Sequence, residues 1–292
     1  MTLEVVNPAT GARLASLPSD DAAAVEAKYR RARAGQPAWA AKPLEERLAA
    51  IGRFRALAIE RAEDLARTLT AEVGKPIAQS RNELKGVVPR LDFFLAEAAE
   101  ALAERTVHAA YDGSLEERIS REPLGVVASI SAWNYPWFVG SNVFVPALLA
   151  GNAVLYKPSE FATLTGLAIA RLLHEGGVPE DVFVPVVGGG EAGGALVAQP
   201  VDGVFFTGSA ATGRRISQAL AGRMVKLQLE LGGKDPVYVC EDVDVARAAA
   251  TRWTRRPTWA PSPAPRRRTS SRHRWRTPSR RARASSRAAG AP

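Results

Sequence analysis

Apolar residues recur every three or four positions at Leu44, Leu48, Ile51, Phe54, Ala58, Ala62, Leu65 and Leu69, which draws a single stripe down one long helix over 43–73. An Ala-, Glu- and Arg-rich stretch over 21–34 predicts a helix before it. Pro43 suits a first helical turn, where a missing N–H leaves no bond unmade, and Gly74-Lys75-Pro76 ends the helix with a permissive residue followed by a breaker. Leu91, Leu95, Ala98 and Leu102 resume the pattern after Pro89 and predict another helix. Tyr111-Asp112-Gly113-Ser114, set between two short runs, reads as the turn of a hairpin over about 106–121.

From residue 125 the rhythm changes. Short β-branched runs at 125–131, 153–157, 182–187, 203–206 and 225–229 alternate with helical stretches near 137–149, 163–176, 191–199 and 211–221. Strands joined by crossover helices predict an α/β fold, a doubly wound parallel sheet that binds ligands at the carboxyl ends of its strands. The pattern stops near Ala250. Residues 251–292 hold 13 Arg but no acidic residue and no Ile, Leu, Val or Phe, a composition that predicts a disordered tail.

That division changes the meaning of the net charge of +9, because without the tail the body is slightly acidic. The expected domains are therefore 1–250, a cofactor-binding body, and 251–292, an Arg/Pro/Ser-rich tail. Two explanations compete for the tail, a coding frame shifted after residue 250 and a functional arginine-rich arm; the frameshift is the favoured one. Nucleic acid as a partner would rest on the tail alone. The single cysteine, Cys240, excludes an internal disulfide, and the absence of a leader-like N-terminus or a long apolar run sets a soluble cytoplasmic protein as the expectation. No metal site is expected.

The candidate chemistry lies at the predicted strand ends. After the first strand of the sheet comes Trp133-Asn134-Tyr135-Pro136, where an Asn amide can donate to a developing oxyanion or simply form a turn. After the second comes Lys157-Pro158-Ser159-Glu160, in which a cation and a carboxylate can both reach ribose hydroxyls or form a solvated surface pair. Gly208-Ser209 and Gly213 run from a strand into a helix whose free N–H groups suit a phosphate, and Gly188-Gly189-Gly190 is another candidate for which a plain loop is the favoured reading. Glu230, expected at the end of a buried apolar strand beside Leu231-Gly232-Gly233-Lys234, suits a general base if burial raises its pKa; the alternative is a Glu satisfied by the Gly-Gly turn.

Asn7-Pro8-Ala9-Thr10-Gly11, Gly74-Lys75-Pro76, Arg121-Glu122-Pro123-Leu124-Gly125, Trp133-Asn134-Tyr135-Pro136, Lys157-Pro158-Ser159-Glu160, Phe206-Thr207-Gly208-Ser209 and Glu230-Leu231-Gly232-Gly233-Lys234 together resemble, in order, the motifs of the NAD(P)-dependent aldehyde dehydrogenase superfamily. The resemblance covers 1–250 and implies a Rossmann-like sheet, an aldehyde oxidised to an acid through a cysteine thioester, and a homo-oligomer in which the 106–121 hairpin takes part. It implies catalytic roles for Asn134, in the oxyanion hole, and Glu230, as general base. It places Trp133, Lys157, Ser159, Glu160, Gly208, Ser209, Gly213 and Leu231 around the cofactor, with Lys157 and Glu160 on the adenosine ribose and Ser209 at the pyrophosphate. NAD and NADP both remain open: Glu160 favours the free 2′-hydroxyl of NAD, which tips the balance, while Lys157 and Ser159 suit the phosphate of NADP.

One departure stands out. The family nucleophile lies in a Gly-Gln-x-Cys segment downstream of the general base, and none follows Glu230 here; Cys240, ten residues on, reads as a small buried residue. His108, His174 and His273 offer no substitute nucleophile-base pairing. A second glutamate for the nicotinamide ribose and the C-terminal oligomerisation strand are missing as well. The expectation is a truncated, inactive form, with a non-catalytic nucleotide-binding or regulatory module as the alternative, and the identity of the aldehyde is not legible.

Overall fold

A computed structural model describes residues 1–109, 112–233 and 242–244. The expected tail, Lys234 and Cys240 lie outside the described residues. An antiparallel hairpin of β1 (Thr2–Val6) and β2 (Arg13–Pro18) begins the chain. Its turn is built by Asn7, whose Oδ1 accepts from the amides of Ala9 and Thr10 at 2.9 and 3.3 Å. The Asn-Pro-Ala-Thr-Gly motif is thus a side-chain-supported turn, and the strands beside it, only five and six residues long, were not foreseen.

The helical segment departs from its expected form in three places. Helix α1 (Ala22–Ala40) runs six residues past position 34, through Pro37, because Trp39 is buried and donates its Nε1–H to the Leu148 carbonyl at 2.9 Å. The expected long helix is two, α2 (Leu44–Glu60) and α3 (Ala62–Val73), broken at Arg61, which pairs with Glu175 at 2.7 Å. Gly74 ends α3 in the left-handed region at φ 79°, as a C-terminal glycine should. Helix α4 (Ile77–Leu102) starts well before Pro89 and continues through it. An internal proline costs about 3 kcal/mol, and here the buried Leu84, Val87 and Leu91 on either side of it hold the helix against the core.

The hairpin follows as β3 (Arg105–Ala109) and β4 (Glu116–Ile119), exposed along its whole described length, with Val107, Leu115 and Ile119 in solvent. Then comes the sheet, with β5 (Val126–Ile130), β6 (Ala153–Lys157), β7 (Phe183–Pro185), β8 (Gly203–Gly208) and β9 (Lys226–Leu231), all parallel, in the order β7-β6-β5-β8-β9. Helices α5 (Pro136–Leu149), α6 (Thr163–Glu175), α7 (Gly190–Ala198) and α8 (Ala210–Leu220) make the crossovers. From β5 the chain steps outward to β6 and β7, then returns to the other side of β5 for β8 and β9. Right-handed crossovers in opposite directions put α5 and α6 on one face and α7 and α8 on the other. Helix α1 packs beside α7, and α2, α3 and α4 pack against α5 and α6.

The core lies between the α5 side and the sheet. Phe144 stands edge-on to Tyr156 and Phe183 at 5.7 and 5.4 Å between ring centroids, and Phe54 of α2 reaches Trp137 at 6.4 Å. Strands β5 and β6 are buried almost end to end. β9, at the edge of the described sheet, is not the buried strand expected: Leu227 and Leu229 turn inward while Lys226, Gln228 and Glu230 face out.

Candidate functional site

Reversal of the winding direction between β5 and β8 leaves a crevice at their carboxyl ends. A cleft of about 1060 Å³ occupies it, walled by the segments that follow β5, β6, β8 and β9 and by one face each of α7 and α8. Trp133, Asn134, Lys157, Ser159, Glu160, Gly208, Ser209, Glu230 and Leu231 all line it, so one cavity gathers residues separated by nearly a hundred positions in the chain. Gly213 does not line it. This glycine lies on the buried side of α8, where a Cβ would come within 2.6 Å of Leu231, and its role in the structure is close packing.

Asn134 is exposed at the turn between β5 and α5. Its Oδ1 accepts from the Tyr135 amide at 3.0 Å, which orients the side chain with its NH2 free to donate. Beneath it, the buried Lys75 donates to the Asn134 carbonyl at 2.7 Å, pairs with Glu83 and lies 4.2 Å from the Tyr135 ring centre. Glu83 in turn accepts from the amides of Trp137 and Phe138, at 2.8 and 3.3 Å, and so caps α5. Burial pushes the Glu83 carboxyl up, against the opposing pull of Lys75. A second buried carboxylate, Glu72, caps α6 by accepting from the amides of Leu164 and Thr165 and from the Thr165 hydroxyl. Desolvation raises its pKa to about 7 in spite of those bonds.

Lys157 is 4% exposed at the end of β6. Its ammonium donates to the Pro158 carbonyl at 3.1 Å and stands 4.0 Å from the Glu160 carboxylate, while burial pulls its pKa down and Glu160 partly opposes that. Ser159 donates to Glu160 at 3.5 Å, so the three polar side chains form one connected group. Against the Lys157 stem lies α7, whose cleft face carries Gly190, Gly193 and Gly194; a Cβ at 193 would stand 3.5 Å from that stem. Helix α7 has no side-chain cap, and Ser209 caps α8 only at the Thr212 amide, at 3.2 Å. The remaining first-turn N–H groups of both helices have no intrahelical partner and give the cleft two positive helix ends.

Glu230 departs from its expected setting. It is exposed rather than buried, at the end of a strand that has no neighbour on its outer side among the described residues, and its carboxylate accepts from Gln228 at 3.0 Å rather than from the Gly232-Gly233 turn. Sequence reasoning also passed over Glu72, Glu83 and two arginines of the cleft, Arg215 and Arg223. Arg223 donates to the carbonyls of Val197, Gln199 and Val201 at 2.8 to 3.2 Å, which fixes the C-terminal end of α7. No local spacing signals it. Arg215 follows Thr212 and precedes Ile216 and Ala219 at helical spacing, and that face was there to be read.

Comparison with known proteins agrees with this architecture. The chain is 37% identical over 245 residues to a putative succinate-semialdehyde dehydrogenase [NADP(+)] of Mycolicibacterium smegmatis, covering 83% of this chain and 47% of that protein. It is 37% identical to 3,6-anhydro-alpha-L-galactose dehydrogenase of Streptomyces coelicolor over 249 residues, 85% of this chain and 50% of the relative. It therefore spans about half the length of these relatives. The crystal structure of PnpE in complex with nicotinamide adenine dinucleotide superposes with a TM-score of 0.78 at 34% identity, covering 85% of this chain and 51% of that one. A 3,6-anhydro-L-galactose dehydrogenase in complex with NADP superposes with the same score at 32% identity, covering 86% and 52%. The model of the aldehyde dehydrogenase family matches residues 1–255, and the chain belongs to that family.

Proposed function

We propose that the described body is the dinucleotide-binding part of an aldehyde-oxidising fold and holds a nicotinamide dinucleotide. The observation that carries this reading is the cleft at the winding reversal, into which two helix N-termini open beside a buried lysine. The residues fit the group. A wall of glycines on α7 leaves room that side chains would fill, the open amides of α8 suit a pyrophosphate, and Lys157 with Glu160 suits ribose hydroxyls. A nicotinamide held there would supply the acceptor for a substrate hydride. In a protein that also carries the thiol, Asn134 would offer its amide to the oxygen on which charge develops before hydride leaves, and Glu230, at the exposed end of β9, would take a proton from water.

The aldehyde itself is not assigned; the names of the relatives include succinate semialdehyde and 3,6-anhydro-alpha-L-galactose. Thioester formation needs a thiol, and the only one in the 292 residues is Cys240. Cys240 does not lie in the Gly-Gln-x-Cys segment that the resemblance calls for, so the 292-residue chain is proposed to bind the dinucleotide without oxidising aldehydes. Titration of the purified chain with NAD and NADP, followed by quenching of the cleft tryptophan Trp133, tests the first part, and a flat titration overturns it. Formation of reduced nicotinamide on adding an aldehyde overturns the second.

A further inference from the structure

Among the described residues three cations line the cleft, and two of them already have partners. Lys157 is buried, bonded to the Pro158 carbonyl and 4.0 Å from Glu160. Arg223 directs its guanidinium at three backbone carbonyls. Arg215 is exposed on the cleft face of α8 and makes no ion pair or hydrogen bond with any described residue. It lies six residues beyond Ser209, so its Cα is about 9 Å along the helix from the end that would hold the pyrophosphate. That offset sets it away from the pyrophosphate end, on the lining of the same cleft to which Lys157 and Gly193 of α7 contribute.

We propose that Arg215 pairs with a phosphate on the adenosine ribose, and that this chain prefers the 2′-phosphorylated dinucleotide. The proposal rests on the dinucleotide reading above and sharpens it. Glu160, the group that would repel such a phosphate, already faces Lys157 and accepts from Ser159, which reduces its repulsion. An exposed guanidinium on a helix can turn two parallel N–H groups along one edge to a dianion, a geometry a lysine lacks.

The test uses the full 292-residue chain and two fragments without nicotinamide, ADP-ribose and 2′-phospho-ADP-ribose, with tryptophan quenching as the readout. The wild type should bind the phosphorylated fragment more tightly. Arg215→Ala should weaken it by about tenfold, the size of one charge-assisted contact, and leave ADP-ribose unchanged. Arg214→Ala, one position along and off the cleft lining, should change neither, which separates a specific pair from the general charge of α8. Equal loss of both fragments in Arg215→Ala, or loss of neither, overturns the proposal while the dinucleotide reading stands. Failure of the wild type to bind either fragment overturns both.

Discussion

The four helices that cross between strands of the sheet begin in two different ways. On one face, α5 and α6 start against buried glutamates delivered by α4 and α3, and their first amides are satisfied inside the protein. On the other face, α7 starts at an uncapped Gly189 and α8 at a serine that holds a single amide, and both ends open on the cleft. The backbone problem is the same at all four, since each helix leaves its first N–H groups without intrahelical partners. Where a carboxylate of the protein fills the position, the helix end becomes structural. Where none does, the same dipole remains available to an anionic ligand. The α2–α4 layer is what separates the two, for it covers only the α5 and α6 side.

Removal of Glu83 should break this comparison with the largest effect. Glu83→Ala strips the cap from α5 and leaves Lys75 buried and unpaired beneath Asn134. Losing one partner of a buried pair costs about 3 to 5 kcal/mol, read as the shift in the urea midpoint multiplied by the slope. A loss below about 1 kcal/mol would show that water satisfies α5 as it satisfies α8, and the two faces would not differ. Reversing the pair as Lys75→Glu with Glu83→Lys should not restore stability, because a lysine cannot accept from the amides of Trp137 and Phe138.

Glu72 gives the next effect, through pH. Its carboxyl titrates near 7 in the folded protein, against 4.5 for the free group, because desolvation outweighs its hydrogen bonds. A raised carboxyl binds its proton more tightly when folded, so its contribution is complete below pH 4.5. It then falls away as pH rises through 7, by about 3 kcal/mol in all. Glu72→Gln should flatten that portion of the stability profile between pH 5 and pH 8. The difference between the variant and the wild type is the quantity to measure, since Glu83 is also shifted upward. An unchanged slope would mean that the cap on α6 stays ionised throughout.

How much of this contrast was readable in the sequence depends on the range of the interactions. The parallel sheet, its crossover helices and the polar groups at its strand ends followed from local alternation and from residues that chemistry singles out, so Asn134, Lys157 and Ser209 could be named from their neighbours. The caps could not. Glu72 and Glu83 lie in helices among other Glu and Lys residues, and only the packing of α3 and α4 on the sheet, some 54 to 93 positions away in the chain, gives them their partners. The break at Arg61 and the continuation through Pro89 have the same origin, tertiary contacts overriding local propensity. The exposure of Glu230 was missed because a run of alternating residues does not say whether a strand is central or at an edge.

Ser209 should show the smallest effect, and its size decides whether the open helix ends are open in fact. Its Oγ accepts from the Thr212 amide at 3.2 Å and donates to the Thr212 hydroxyl at 3.0 Å, in a position exposed to solvent. Ser209→Ala removes an N-cap, which costs about 1 kcal/mol. Water can reach the freed amide, so the loss stays well under that of Glu83→Ala. Ser209→Gly should cost only a few tenths of a kcal/mol, since glycine tolerates the cap conformation and hydrates the amide directly. Saturating ADP-ribose should narrow the gap between Ser209→Ala and the wild type, because a pyrophosphate at the open amides does for α8 what Glu83 does for α5. If Ser209→Ala instead loses as much stability as Glu83→Ala and the ligand does not narrow the gap, the α8 terminus is a closed structural end, and its resemblance to a phosphate site is one of shape alone.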